Sequence, residues 1–277
     1  MCKSAVAAMM APDPSPRPSE IGALSKPCGG IVPHAGWVCS GKIAGEAIAT
    51  LASLAPADVV VVFGAVHTPI VLEQAALDPH ATWHVPTGDS AQPHELIEKL
   101  ARDQKSFVID SRLHDREHAV EVELPLIQAA WPGAMVLPIE VPLTEDAERI
   151  GRETAQQVLS EGQRAVFLAS SDLTHYGPNY RFAPAGIGIQ GLNWAKENDR
   201  RLLDLIEGFA IDGIVPEVKH RYNACGGGAI AATLAACKEF GATRAKVLRH
   251  ANSYETLMGI VGPDPTNAVG YAGVVIG

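Results

Sequence analysis

Residues 59–63 constrain the fold of this chain more than any other segment, because their sequence is VVVVF and contains no polar side chain. Successive side chains of a β-strand point to opposite faces of the sheet, so a strand formed here is apolar on both faces. Strands of this kind occur in parallel sheets that helices cover on each side. The segment therefore predicts a central strand of a parallel α/β sheet.

The rest of the chain alternates short β-branched segments with longer segments rich in Ala, Leu and Glu. This pattern is typical of βα units around a mostly parallel sheet with helices on both faces. The predicted strands are residues 30–33, 59–63, 107–110, 134–139, 165–169, 246–249 and 270–275. The predicted helices are residues 41–54, 94–103, 118–130, 145–161, 190–207 and 228–240. No internal repeat or linker divides residues 26–277, so we expect a single α/β domain there.

Residues 1–25 differ from the remainder of the chain. They contain one short run of Ala, Val and Met, followed by a segment rich in Pro and Ser. The apolar run is too short for the hydrophobic region of a secretory signal. We therefore expect a disordered N-terminal tail.

The composition and net charge of the chain exclude several classes of protein and of binding partner. Hydrophobic residues make up 47% and charged residues 19%, which is too apolar for a disordered chain. The net charge of −9 gives no electrostatic basis for binding nucleic acid or an anionic membrane, and no segment reaches the roughly 20 apolar residues of a membrane span. The five cysteines are widely scattered, unlike a disulfide framework. We expect a soluble cytoplasmic protein with a small-molecule substrate.

Three histidines follow predicted strands at the points where the strands end. His34 lies in the segment PHAG, His67 in FGAVH, and His175 in SSDLTH. Loops at the carboxyl ends of parallel strands converge at one edge of the sheet, where ligands bind. Imidazole is the commonest protein ligand for transition metals, so the repetition favours a metal site, although a single histidine leaving a sheet is more often an ordinary surface residue. The other histidines outside the acidic segment described below, at positions 80, 84, 94, 114, 220 and 250, lack this context and are assigned structural roles.

Cys225 stands before three glycines and a predicted Ala-rich helix. A thiol at a helix N-terminus faces the positive end of the helix dipole, which favours the thiolate that binds metals or attacks electrophiles. Cys225 is therefore a candidate third ligand beside two imidazoles. The alternative is a small packing residue at a glycine turn, which describes most free cysteines.

The segment 117–125, EHAVEVELP, is a second candidate part of the site. As the start of the predicted helix 118–130, it would place His118 and Glu121 one turn apart, and Glu117 and Glu121 on one face. These side chains could orient a metal ligand or bind a polar group of a substrate. A solvent-exposed acidic helix face is the alternative.

Several strings in this order resemble the Memo family, also called AmmeMemoRadiSam system protein B. The strings are VPHAGWVCSG around His34, GAVHT around His67, EHAVEVELP from Glu117, SSDLTHY from Ser170, CG at Cys225, and VGYAG near the C-terminus. The resemblance runs from about residue 30 to the C-terminus. It implies a fold like that of class III extradiol dioxygenases, which bind Fe(II) through two histidines and a carboxylate.

Transferred by position, the resemblance implies that His34 and His67 are metal ligands and that Cys225 replaces the carboxylate. It implies that His175 is the general acid or base, beside Asp172. A thiolate ligand is compatible with Cu or Zn as well as Fe(II). The resemblance also leaves a radical-SAM protein as a candidate partner.

The resulting hypothesis is a non-haem iron oxidoreductase of the dioxygenase type, acting with O2 on a small organic molecule. One alternative is a protein that carries a metal, or binds a peptide or protein partner, in the same pocket without turnover. Another is a hydrolase with Cys225 as nucleophile and His175 as base, which leaves His34 and His67 without roles.

Overall fold

The computed structural model describes residues 2–11, 24–260, 262 and 264–277. The strands are β1 (Gly29–Val32), β2 (Val59–Ala65), β3 (Ala75–Leu77), β4 (Thr82–Val85), β5 (Gly88–Ala91), β6 (Phe107–Ile109), β7 (Met135–Val141), β8 (Ala165–Ser170), β9 (His175–Tyr176), β10 (Ala245–Asn252) and β11 (Ala268–Ile276). The helices are α1 (Cys2–Met10), α2 (Trp37–Ala52), α3 (His94–Asp103), α4 (Ser111–His114), α5 (Leu124–Ala130), α6 (Ala147–Ser160), α7 (Ile189–Glu207), α8 (Ile211–Arg221), α9 (Gly227–Glu239) and α10 (Ser253–Thr256).

The main sheet has the strand order β10-β11-β1-β8-β2-β7-β3-β6, and the short β9 pairs with β11. Its centre is parallel, because β8 pairs in parallel with β1 and β2, and β2 pairs in parallel with β7. Strand β11 is antiparallel to β1, and β3 is antiparallel to β7. Strands β4 and β5 form a separate antiparallel hairpin. The predicted single α/β domain with a mostly parallel sheet is confirmed.

Strand β2 divides the apolar core into two parts. Val59, Val61 and Phe63 pack on the face that is covered by α6 and α9, whereas Val60 and Val62 pack on the face covered by α2 and α5. All five side chains are fully buried. Burial on both faces is the arrangement that the VVVVF segment predicted.

Helices α6 and α9 pack closely against each other at Gly151. A Cβ atom at this position would lie 1.9 Å from the carbonyl oxygen of Ala232. Because no side chain atom fits there, glycine is what allows the two backbones to approach. This contact fixes α9, whose first turn follows Cys225.

Every predicted strand is present, and the predicted helices 41–54, 94–103, 145–161, 190–207 and 228–240 correspond to α2, α3, α6, α7 and α9. Helix α8 was not predicted, because it contains Pro216, which normally ends a helix. The short elements β3, β4, β5, β9, α4 and α10 were also not predicted.

The prediction of a disordered N-terminal tail is wrong for residues 2–10, which form α1. Val6 and Met9 on this helix are buried against the domain. Gly45 on α2 makes room for it, since a Cβ there would lie 2.6 Å from the carbonyl oxygen of Met9. The expected tail also covers residues 12–23, which lie outside the described residues.

The predicted helix 118–130 is wrong in its first half. Glu121–Glu123 form a short 3-10 helix, and the α-helix begins only at Leu124. Pro125 explains this start, because proline is favoured in the first turn of a helix, where its missing N–H is not needed. Glu117 and Glu121 therefore do not share a helical face.

Among the described residues, none of the helices is both long enough and apolar enough to cross a lipid bilayer.

Candidate metal centre

The strand order brings the predicted histidine loops together. Strand β8 lies between β1 and β2, and all three are parallel, so their carboxyl ends lie side by side. The residues that follow these ends include His34 after β1, His67 after β2, and Asp172 after β8. The rings of His34 and His67 meet edge to face, with centroids 5.0 Å apart.

His34 is buried, and its hydrogen bonds define which ring nitrogen is free. Its Nδ1 lies 2.9 Å from the hydroxyl oxygen of Ser170, and that hydroxyl donates to the carbonyl of Ala119 at 2.5 Å. Because the single hydroxyl proton is used, Ser170 must accept a hydrogen bond from Nδ1–H of His34. The unprotonated Nε2 then faces Cys225, with its Sγ 3.3 Å away.

His67 is held by the buried carboxylate of Glu117. Nδ1 of His67 donates to Oε1 at 2.8 Å, and the backbone N–H of His67 donates to Oε2 at 2.7 Å. The backbone N–H groups of His118 and Ala119 also donate to Oε1. Burial alone would raise the pKa of Glu117, but these hydrogen bonds lower it to about 2. The carboxylate therefore keeps Nδ1 of His67 protonated and leaves Nε2 free, as in many metal-binding histidines.

Cys225 precedes α9 and its thiol is half-buried. Sγ accepts a hydrogen bond from the backbone N–H of Asp172 at 3.3 Å and lies 3.8 Å from the hydroxyl of Ser171. Burial and the nearby Asp172 raise the pKa of the thiol to about 12. Desolvation therefore opposes ionisation of the thiol when no metal is bound.

His34, His67 and Cys225 each offer a ligand atom within 4.8 Å of the other two. Two imidazole nitrogens and one sulfur are a donor set that suits Fe, Cu and Zn. A divalent cation at this point would also offset the cost of ionising the thiol. The residues present therefore fit a transition metal.

His118 adds a third imidazole to the cluster. Its ring centroid lies 5.3 Å from that of His34 and 4.8 Å from that of His67. Its side chain is 58% exposed, and that of His67 is 34% exposed, so the cluster opens to solvent on this side. Glu117 and His118 thus lie beside His67, and His118 also lies beside His34. Glu121 is exposed, outside this arrangement.

Asp172 has a different role from the one we expected. Its Oδ1 accepts hydrogen bonds from the backbone N–H groups of His34 (2.9 Å) and Ala35 (3.2 Å). The ring of His175 is held instead by the carbonyl of Leu173, 3.1 Å from Nδ1. Asp172 therefore fixes the loop that carries His34. Burial raises the pKa of Asp172 to about 7 against the effect of these hydrogen bonds.

His175 has a free Nε2, because the carbonyl of Leu173 can only accept, so Nδ1 carries the proton. Burial lowers the pKa of His175. The ring of Tyr180 packs edge to face against it, with centroids 5.0 Å apart, and is 43% exposed. A neutral imidazole in this position can accept a proton.

Sequence reasoning missed Ser170, Tyr180 and two buried carboxyl groups. Glu140, on β7, is fully buried, and burial and Glu117 raise its pKa well above the ordinary value. Burial and Asp172 do the same to the pKa of Glu123. Glu140 could have been found from the sequence, because it is the one charged residue in the otherwise apolar strand MVLPIEV. Ser170 and Tyr180 carried no comparable signal.

A model of the Memo family, described as "Memo-like protein", matches residues 4–275. The chain belongs to the Memo-like family. A MEMO1 family protein of Methanococcoides burtonii is 35% identical over 260 residues, covering 90% of this chain and 86% of the relative. A MEMO1 family protein of Methanosarcina barkeri is 34% identical over 258 residues, which again cover 90% of this chain and 86% of the relative.

A solved structure also resembles this Memo-like chain. An uncharacterized protein of Escherichia coli K12 superimposes with a TM-score of 0.53 at 13% identity, covering 90% of this chain and 99% of the other. At this identity, the likeness concerns the fold alone.

Proposed function

We propose that this Memo-like protein is a non-haem iron oxidoreductase that uses O2 to oxidise a small organic molecule. The observation that carries the proposal is the tautomeric state of the two histidines. Ser170 and Glu117 each bind an Nδ1–H group, so the free Nε2 atoms of His34 and His67 are the atoms available to a metal beside the Cys225 sulfur.

Fe(II) held by these residues would supply the electron-transfer chemistry that O2 requires, which protein side chains lack. In the dioxygenase reaction that we propose, both atoms of O2 enter the product. Three protein ligands leave open positions on the metal for small molecules. Cu or Zn fit the same donors, so the metal itself has to be measured.

The surrounding residues supply the substrate site and a base. His118 and His67 are on the open side of the cluster, where a substrate enters. His175 presents a free Nε2 and has a lowered pKa, so it is neutral at pH 7 and able to take a proton from a substrate hydroxyl or amine. Tyr180 covers the His175 ring.

The decisive experiment purifies the protein without O2 and compares wild type with His34→Ala, His67→Ala and His175→Ala. The matched control is His94→Ala, because the His94 side chain, at the start of α3, is 56% exposed. We expect about one metal ion per chain in wild type, His175→Ala and the control, and none in His34→Ala or His67→Ala. Full metal content in both His34→Ala and His67→Ala would refute the proposed metal site.

The second measurement is O2 uptake after loading with Fe(II), against a panel of catechols and aminophenols. His175→Ala is expected to lose 10²- to 10⁴-fold in rate, which is typical for a general acid or base. Loss of the metal from His175→Ala would instead make His175 a ligand.

A second candidate function is metal carriage or partner binding without turnover, and Cys225 is the observation that favours it. A thiolate is a soft ligand that binds Cu(I) and Zn well. Purification with Cu or Zn, transfer of that metal to another protein and no O2 uptake would support this candidate. A cysteine hydrolase is not favoured, because Cys225 contacts His34 rather than His175, and burial lowers the pKa of His34 to about 3.

A further inference from the structure

One peptide group connects His175, on strand β9, to a buried carboxylate on helix α7. This is the peptide between Leu173 and Thr174. Its carbonyl oxygen lies 3.1 Å from Nδ1 of His175, and its N–H donates to Oδ1 of Asp199, on α7, at 2.9 Å. The two hydrogen bonds are therefore made by the two ends of a single conjugated unit.

Asp199 is 1% exposed and is itself held in place. Its other oxygen, Oδ2, lies 3.0 Å from Nε2 of His250, on β10. Gly270 leaves space for the carboxylate, since a Cβ there would lie 2.1 Å from Oδ2. Burial raises the pKa of Asp199, and the hydrogen bonds from His250 and Thr174 oppose this rise.

The segment between the two groups has little freedom to move. Leu173 N–H donates to the carbonyl of Gly270 at 2.8 Å, and Gly270 N–H donates to the carbonyl of Thr174 at 3.0 Å. Asn198, next to Asp199 on α7, donates to the hydroxyl of Thr174 at 3.1 Å. A change at Asp199 is therefore transmitted directly to the peptide that holds His175.

We propose that Asp199 and His250 are positioning residues for His175, acting through the Leu173–Thr174 peptide to hold its Nδ1–H tautomer and to increase the basicity of Nε2. The inference rests on the proposed function in giving His175 the role of a base. It assigns to Asp199 the task that the sequence suggested for Asp172.

The physical reason is the mutual polarisation of hydrogen bonds in a chain. A carboxylate that accepts from the peptide N–H increases the negative charge on the carbonyl oxygen of the same peptide. That oxygen then binds Nδ1–H of His175 more strongly, which favours the charged form of the ring. Burial and His67 lower the pKa of His175, whereas the Leu173 carbonyl and Asp199, the two groups of this chain, both raise it.

The test is ¹⁵N NMR of the histidine rings in the full-length protein, metal-free and loaded with Zn(II), with His175→Gln to assign the signals. Asp199→Asn retains an oxygen that can accept from Thr174 but removes the charge. His250→Gln retains a donor but removes the imidazole. The matched control is Asp78→Asn, since Asp78 is also 1% exposed and lies 2.6 Å from a histidine, His80, in another part of the fold.

In wild type and the control, we expect His175 to be protonated on Nδ1 at neutral pH. In Asp199→Asn, we expect a larger Nε2–H fraction and a lower pKa of His175, with a smaller change of the same sign in His250→Gln. The rate of O2 uptake should fall about 10- to 100-fold in Asp199→Asn, as for other residues that orient a functional histidine.

An unchanged tautomer and pKa of His175 in both variants, relative to the control, would overturn the inference. If Asp199→Asn does not fold, the result for His250→Gln decides. The NMR result does not depend on turnover. Altered His175 signals in a protein that consumes no O2 would support the positioning role and contradict the proposed function.

Discussion

Replacing Glu117 with Gln should weaken metal binding and also remove a pH-dependent part of the stability. The carboxylate is 3% exposed and accepts four hydrogen bonds, from Nδ1 and N–H of His67 and from N–H of His118 and Ala119. Glutamine offers one acceptor oxygen and places an NH2 group against these donors. At least one buried donor is then left without an acceptor.

The pKa of Glu117 gives the magnitude of the effect. A fall from 4.5 to about 2 corresponds to about 3 kcal/mol of stabilisation of the ionised form in the folded protein. Because the folded pKa is the lower one, this stability is fully present above pH 4.5 and is lost as the pH falls through about 2. The difference between wild type and Glu117→Gln should therefore shrink at low pH.

The assay is urea unfolding of metal-free protein at a series of pH values, together with titration of Zn(II) at pH 7. We expect Glu117→Gln to be less stable by about 3 kcal/mol at pH 7 and to bind Zn(II) about 10- to 100-fold more weakly. Glu121→Gln, a change in the same segment at an exposed carboxylate, is the control. A stability difference that does not vary with pH, or unaltered Zn(II) affinity, would refute the reasoning.

Three further predictions concern the thiol and the packing of the helices. Cys225 should react with iodoacetamide at alkaline pH only after the metal is removed by a chelator, as measured by mass spectrometry, because a coordinated thiolate is not a free nucleophile and the metal-free thiol, with its raised pKa, ionises only at high pH; equal rates at that pH with and without metal would exclude it as a ligand. Gly151→Ala should destabilise the protein by about 1–3 kcal/mol in urea unfolding, because its Cβ would lie 1.9 Å from a backbone oxygen of α9, whereas Gly259→Ala, in open space, should have little effect. Gly45→Val should detach α1 from α2, so that limited proteolysis cuts residues 2–10 faster than in wild type; an unchanged cleavage pattern would contradict the proposed packing.

The fold was predictable where hydrophobic pattern alone determines structure. Residues 59–63 had to be buried on both faces, so a central parallel strand followed from the sequence. Helix α1 was not predictable, because it is only 9 residues long, and its position depends on glycines at residues 41 and 45, far along the chain. Helix α8 contradicts a local rule at Pro216, which the tertiary structure tolerates.

In the candidate site, the clustering of His34 and His67 was predictable from the sequence, whereas the groups that hold their rings were not. His34 and His67 could be found because each follows a strand, and parallel strands end at one edge. The partner of each ring, Ser170 for His34 and Glu117 for His67, lies 136 and 50 residues away along the chain, a pairing that no local pattern encodes. Sequence proximity suggested Asp172 for His175, but the nearby carboxylate binds the His34 loop, and a distant one, Asp199, holds the His175 segment.

The carboxyl groups around the site differ in the direction of their pKa shifts: the pKa of one is lowered and the pKa values of three are raised. This difference determines which negative charges are present when a cation binds. Glu117 is kept ionised by four N–H donors, so its negative charge lies beside His67. Burial raises the pKa values of Asp172, Glu123 and Glu140. Hydrogen bonds oppose this rise at Asp172, whereas a neighbouring acidic residue adds to it at Glu123 and at Glu140. The metal-free thiol of Cys225 is likewise protonated. A metal that binds the sulfur must therefore displace the thiol proton, so metal affinity increases as the pH rises, by about tenfold per pH unit for each proton released.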